Sequence, residues 1–146
     1  MDSTATAPPL EVFLVDDSPL IRERLLALLA CVPGARTVGC AGRADEAVRT
    51  ILAQRPDAVV LDVHLAEGSS GIDVLRALHD QAPEIDVFML TNFASNQNRR
   101  LCERLGARAV YDKSTEFERM RDAIAALARS RGGNNKNNRA EQPCKP

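Results

Sequence analysis

The chain has 146 residues, 45% of them hydrophobic, and carries 19 basic against 20 acidic residues for a net charge of −1. That length and apolar content suit one domain around one core, and the balanced charge gives no electrostatic footprint for nucleic acid or an anionic membrane. No apolar run approaches the ~18 residues of a membrane span, and MDSTATAPP lacks the basic and apolar regions of a signal peptide. Cys31, Cys40, Cys102 and Cys144 form no CxxC pair and no cluster of metal-site spacing. The first three sit in apolar segments and are expected in or near the core; Cys144 is expected to be an exposed free thiol. This usage fits a reducing, cytoplasmic setting.

The polar segments 1–9 and 131–146 are expected to be disordered tails, leaving one domain over residues 10–130. EVFLVD (11–16) reads as a strand. Ser18-Pro19 follows as a helix cap and first-turn proline, and Ile21, Leu25, Leu28 and Leu29 keep helical spacing up to Pro33-Gly34. RTVGCA (36–41) is a weaker strand. Ala44, Ala47, Val48, Ile51 and Leu52 mark a helix that Pro56 closes. AVVLD (58–62) is a third strand, and Ile72, Leu75 and Leu78 mark a third helix ending before Pro83. IDVFMLT (85–91) is a fourth strand, and a helix poor in helix formers follows over 95–105. RAVYD (108–112) is a fifth strand. Thr115 to Glu118 forms a capping-box pattern ahead of Met120, Ile124 and Leu127.

Five strand–helix pairs in alternation predict an α/β fold, with a parallel sheet covered by helices on both faces. In such sheets the functional crevice lies beyond the carboxyl ends of the strands. Asp16-Asp17, Asp62, Thr91 and Lys113 all fall there. Two carboxylates ~4 Å apart repel by roughly 4 kcal/mol at an effective dielectric near 20, so three would not stay ionised together without a cation. An all-oxygen donor set without His or Cys suits Mg2+. A carboxylate, a metal, a hydroxyl and an ammonium in one crevice invite phosphoryl transfer to the carboxylate.

These residues carry a family resemblance. DDSPLIRERL after strand one, VVLD at strand three, MLTN at strand four and YDKS at strand five together resemble the receiver domain of two-component response regulators. The resemblance implies a flavodoxin-like, doubly wound sheet of order 2-1-3-4-5 with five helices. It implies Asp62 as the phosphoacceptor, charged by a histidine kinase or a histidine phosphotransfer protein. It implies Asp17 as the direct Mg2+ ligand, Asp16 as its partner acting through water, and the His64 backbone carbonyl as a further ligand. Thr91 matches the hydroxyl that reports the phosphoryl group, and Lys113 matches the lysine that pairs with it. Leu20 and Arg24, off the core face of helix one, match docking positions for the kinase. Helix four, strand five and helix five are the expected site of the conformational change.

The chain also departs from the family pattern. The position three before Lys113 holds Val110 where an aromatic is usual. Tyr111 comes one residue later and, by strand alternation, on the other face. Ser114 and Ala66 stand where proline is common, and the loop from Asp62 to Gly71 is one residue longer, a Gly/Ser-rich stretch expected to be flexible. Taken singly, the site residues have ordinary explanations. Asp16-Asp17 suits a turn ahead of Pro19, Asp62 a strand end, Thr91 strand-to-turn chemistry and Lys113 an edge-strand gatekeeper. Their conjunction favours a receiver. The side chains of His64 and His79 are expected at the surface. With so little sequence after Ser130, the expectation is a single-domain receiver, monomeric or weakly dimeric, that signals through protein contacts or phosphorelay. Such a chain would touch no nucleic acid or membrane and would catalyse only its own phosphorylation and dephosphorylation. Two other readings stay open: a small Mg2+-dependent phosphohydrolase similar to haloacid-dehalogenase-like enzymes, and a degenerate receiver that binds partners without phosphorylation.

Overall fold

In the computed structural model, which describes residues 8–92 and 95–138 with side chains to residue 130, the apolar runs form β1 (Leu10–Val15), β2 (Ala35–Ala41), β3 (Ala58–Asp62), β4 (Asp86–Thr91) and β5 (Ala109–Asp112). All neighbouring strands are parallel, in the order β2-β1-β3-β4-β5. The helices between and after them are α1 (Pro19–Ala30), α2 (Ala44–Gln54), α3 (Gly71–Gln81), α4 (Asn96–Arg104) and α5 (Phe117–Asn138). The flavodoxin-like architecture expected from the sequence is the one observed.

Side chains alternate along each strand and feed two separate cores. Phe13, Val15, Val59, Leu61, Val87, Met89 and Val110 pack with Ala47 and Ile51 of α2, Val74, Leu75 and Leu78 of α3 and Cys102 of α4. Leu10, Val12, Leu14, Val60, Phe88 and Leu90 turn to the other face and meet Leu25 and Leu29 of α1 and Met120, Ile124 and Leu127 of α5. Phe13 and Phe88 are fully buried, one on each face; cutting either to alanine costs ~3–5 kcal/mol. The sheet is thus anchored on both sides, and its polar strand ends are left at one rim.

Helix starts follow local chemistry. Ser18 caps α1 by accepting the Ile21 N–H, Ser70 caps α3 by accepting that of Ile72, and Ser95 caps α4 by accepting that of Asn98. The start of α5 differs from the expected capping box. Its first helical bond runs from the Met120 N–H to the Glu116 carbonyl, which puts the cap at Glu116 rather than Thr115, because the Glu116 side chain is engaged at the end of β5 instead. The helical backbone of α5 continues to Asn138, past the boundary expected at residue 130. The tail segments 1–7 and 139–146, and Cys144 with them, lie outside the described residues.

Two cysteine expectations are corrected. Cys102 is buried, but Cys31 and Cys40 are exposed. Cys31 is the residue that terminates α1, and Cys40 lies on edge strand β2, most of which is only partly covered. Among the described residues no helix is long and apolar enough to cross a membrane.

Candidate functional site

Asp16 follows β1 directly and is 1% exposed. Its backbone N–H donates to the Ala41 carbonyl at 3.0 Å, its Oδ1 accepts the Ser18 N–H at 2.9 Å, and its carbonyl accepts Arg22 Nη1 at 2.8 Å. The cap that starts α1 and the acid that ends β1 are therefore built into one turn. Asp17, next in sequence, faces solvent. Asp62 is the last residue of β3 and is buried. Thr91 ends β4 and is buried, and its carbonyl accepts the Lys113 N–H at 2.9 Å. That bond carries the β4–β5 pairing one residue beyond β5 and aims Lys113 back along the rim.

One carboxylate oxygen from each of Asp16, Asp17 and Asp62 lies within 4.8 Å of the others. Lys113 Nζ stands 2.8 Å from Oδ2 of both Asp16 and Asp62. The contact to Asp62 has hydrogen-bond geometry; the contact to Asp16 is an ion pair only, and Asp16 Oδ2 is buried without a hydrogen bond. Burial pushes the Asp62 carboxyl above the usual range, the Lys113 ammonium pulls it back, and the charge on Asp16 pushes it up again; the balance is upward. Burial alone would lower Lys113, yet its close contacts with the Asp16 and Asp62 carboxylates outweigh it and raise it, so it stays an ammonium.

The donor set fits Mg2+. Three ionised carboxylates against one ammonium leave a deficit of positive charge, and every donor is oxygen. The resemblance assigns the role of a further ligand to the His64 carbonyl. The Gly71 N–H donates to the Val63 carbonyl at 2.7 Å and the Leu65 N–H to the Ser69 carbonyl at 3.1 Å. These bonds flank the His64–Ser70 bridge and leave the His64 carbonyl outside the ladder. The His64 N–H reaches Asp62 Oδ1 at 3.4 Å, and its side chain is exposed, as is that of His79.

The loop after Asp62, expected to be flexible from its composition, folds into a hydrogen-bonded turn. Ala66–Gly68 forms a short 3-10 turn, with Glu67 and Gly68 at φ of 58° and 73°. Two successive positive-φ residues reverse the chain sharply, so hydrogen bonds close the loop and glycine serves that turn. Gly71 serves a different need. A Cβ there would collide with the Asp62 carbonyl oxygen, so α3 starts in contact with the backbone that carries Asp62.

Leu20 is 69% exposed, and Arg24 is exposed with its guanidinium 4.4 Å from the centre of the Phe117 ring. Arg24, Leu28, Ser114, Thr115, Phe117 and Glu118 line a groove between α1 and the start of α5. Both expected docking residues are thus accessible, and Arg24 lies beside the β5–α5 loop. Sequence reading missed the close approach at Gly71, although a glycine directly behind a Ser cap was a visible hint. It also missed Arg99, which reaches from α4 to the Val110 carbonyl at 2.6 Å and to Glu116 at 2.9 Å; its polar helix gave no such signal.

The family model described as the response regulator receiver domain matches residues 12–125. The chain belongs to this family. The receiver is 40% identical over 87 residues to the DNA-binding transcriptional activator DevR/DosR of Mycobacterium tuberculosis, a match covering 60% of this chain and 40% of that one. It is 35% identical over 141 residues to a protein-glutamate methylesterase/protein-glutamine glutaminase of Anaeromyxobacter dehalogenans, covering 88% of this chain and 38% of that protein. The receiver therefore spans well under two thirds of these curated relatives. The solved LuxR-family two-component response regulator of Aurantimonas sp. SI85-9A1 superposes with a TM-score of 0.75 at 28% identity, covering 84% of this chain and 86% of that one.

Proposed function

We propose that this receiver, residues 10–130, accepts a phosphoryl group on Asp62 from the phosphohistidine of a histidine kinase or a histidine phosphotransfer protein. The observation that carries this reading is the clustering of Asp16, Asp17 and Asp62 within 4.8 Å, with Lys113 2.8 Å from two of them, at the carboxyl rim of the sheet. An Asp62 oxygen attacks phosphorus and an acyl phosphate forms. The P–N bond breaks, and the imidazole nitrogen keeps the electron pair. Asp16, Asp17, Asp62 and the His64 carbonyl would hold Mg2+, which would supply positive charge to the phosphoryl oxygens. Lys113 supplies fixed positive charge to the same oxygens, and Thr91, at the end of the adjacent strand, supplies a hydroxyl.

The exposed Leu20 and the Arg24 groove form the docking face for the phosphohistidine partner, with the β5–α5 loop beside it. The signal leaves through phosphorylation-dependent protein contacts or by phosphorelay, from a population shift at α4, β5 and α5. The chemistry ends at self-phosphorylation and self-dephosphorylation. Incubation with acetyl phosphate and Mg2+ tests this: mass spectrometry should find one acid-labile phosphoryl group, absent in Asp62→Asn. Repeated turnover of small phosphate esters would instead make the protein a hydrolase, and failure to label or to bind beryllofluoride with Mg2+ would sink the reading.

A further inference from the structure

The segment Ala41–Ala44, between β2 and α2, touches both halves of the site. On one side the Ala41 carbonyl accepts the Asp16 N–H at 3.0 Å, and a Cβ on Gly42 would stand 3.3 Å from the Asp17 Cα. On the other side the Gly42 carbonyl accepts the Ala66 N–H at 3.1 Å, and the Ala44 N–H donates to Ser69 Oγ at 3.3 Å. The same Ser69 hydroxyl donates to the Ala66 carbonyl at 2.8 Å. The Ser69 backbone adds two more bonds, its N–H to Ala66 at 3.1 Å and its carbonyl from Leu65 at 3.1 Å. Ser69 therefore stands at the junction of the β2–α2 corner and the ring of bonds that frames His64.

The start of α2 explains why a serine is wanted there. Its cap residue, Arg43, makes no side-chain capping bond. The first-turn donors of a helix need partners, and the Ala44 N–H finds one on a different loop. The positive-φ turn at Glu67-Gly68 brings Ser69 around to α2. The extra residue of this loop thus has a structural use.

We infer that Ser69 is a positioning residue: by capping α2 from the β3–α3 loop, its hydroxyl fixes the His64 carbonyl relative to Asp16 and Asp17 and so sets Mg2+ affinity. This rests on the metal-dependent receiver reading above. The Arg43–Glu67 ion pair, at 3.0 Å, spans the same two loops, but its side chains are 49% and 70% exposed. Such a pair holds the loops weakly, whereas the Ser69 bonds are half-buried.

The test uses the full chain, Mg2+ alone as probe and titration calorimetry as readout, with amide exchange at Ala44 and urea stability measured in parallel. Ser69→Ala should weaken Mg2+ binding by about three- to tenfold, the scale of one lost hydrogen bond, and speed exchange at Ala44. Ser69→Thr keeps the hydroxyl and should restore both, and Glu67→Gln should leave Mg2+ binding unchanged. Unaltered Mg2+ affinity in a Ser69→Ala protein that has merely lost stability would reduce Ser69 to a structural residue and overturn the inference. An equal loss in Glu67→Gln would overturn it too, since charge would then set the affinity. A wild-type protein that neither binds Mg2+ nor labels at Asp62 is a separate result, and it defeats the reading of the site itself.

Discussion

Replacing Lys113 with methionine removes the ammonium from the carboxylate cluster while keeping side-chain bulk. Each 2.8 Å contact from Nζ to Asp16 and Asp62 is worth ~6 kcal/mol of gross attraction at an effective dielectric of 20. Desolvation of the lysine offsets much of that, and breaking a buried pair costs ~3–5 kcal/mol net. Left alone, oxygens of Asp16 and Asp62 at no more than 4.8 Å repel by at least ~3.5 kcal/mol on the same scale. Protonating either one relieves the repulsion. Asp62 is already raised in the wild type with Lys113 holding it down, so in the variant it rises further and takes up its proton at higher pH.

The sign follows from linkage. A carboxyl raised on folding makes the folded state bind more protons, so stability recovers as pH falls through the raised value. Lys113, also raised, loses its contribution only as pH climbs above its ordinary ~10.4, so it is silent between pH 5 and 8. Urea unfolding in EDTA should therefore show Lys113→Met less stable by about 3–5 kcal/mol at pH 8, with a smaller gap at pH 5. Adding Mg2+ at pH 8 should narrow the gap as well. Equal stabilities at pH 8, or a gap of the same size at both pH values, would refute the account of Lys113 as the neutralising partner.

Gly71→Ala should lower stability by about 1–3 kcal/mol through overpacking and should also lower acetyl-phosphate labelling, because the new Cβ collides with the Asp62 carbonyl; a fully labelled variant would show that the contact is of no consequence. Glu116 is held below the usual carboxylate range by its hydrogen bond with Arg99 and by the Asp112 N–H, so its stabilisation is present above the ordinary ~4.3 and disappears as pH falls through the lowered folded value. Glu116→Gln should accordingly cost about 1–2 kcal/mol at pH 7 and nothing at a pH where both forms are protonated, read from urea midpoints across that range.

The strands and the rim were legible because both signals are local. AVVLD spans β3 residue for residue, all five of its residues are buried, and the carboxylate falls at the end where the chain meets water. Parallel strands buried on both faces must be continuously apolar, so a single Asp in such a run stands out. The bonded turn after it was not legible, for a physical reason. Glycine and serine are the residues of flexible segments, but they are also the residues that close tight turns, and only partners distant in sequence decide between the two. Ser69 finds its partner at Ala44. The exposures of Cys31 and Cys40 failed similarly: an apolar neighbourhood in sequence does not say that a helix-ending residue faces out, or which face of an edge strand a helix covers.

The same distinction bears on how a receiver without the usual aromatic carries its signal. Val110 is buried against the α4 side of the sheet while Tyr111 turns toward α5, so strand alternation keeps the tyrosine from standing in. Beside the Cys102 packing, polar contacts join α4 to β5: Arg99 donates to the Val110 carbonyl and pairs with Glu116, which in turn accepts the Asp112 N–H next to Lys113. Of α4's own side chains only Cys102 is buried, whereas α3 buries Val74, Leu75 and Leu78. With each buried aliphatic side chain worth ~1.5–3 kcal/mol, α4 is the cheaper element to displace by several kcal/mol. Lys113 stands next to Asp112, and from Asp112 a polar chain runs through Glu116 to Arg99 on α4.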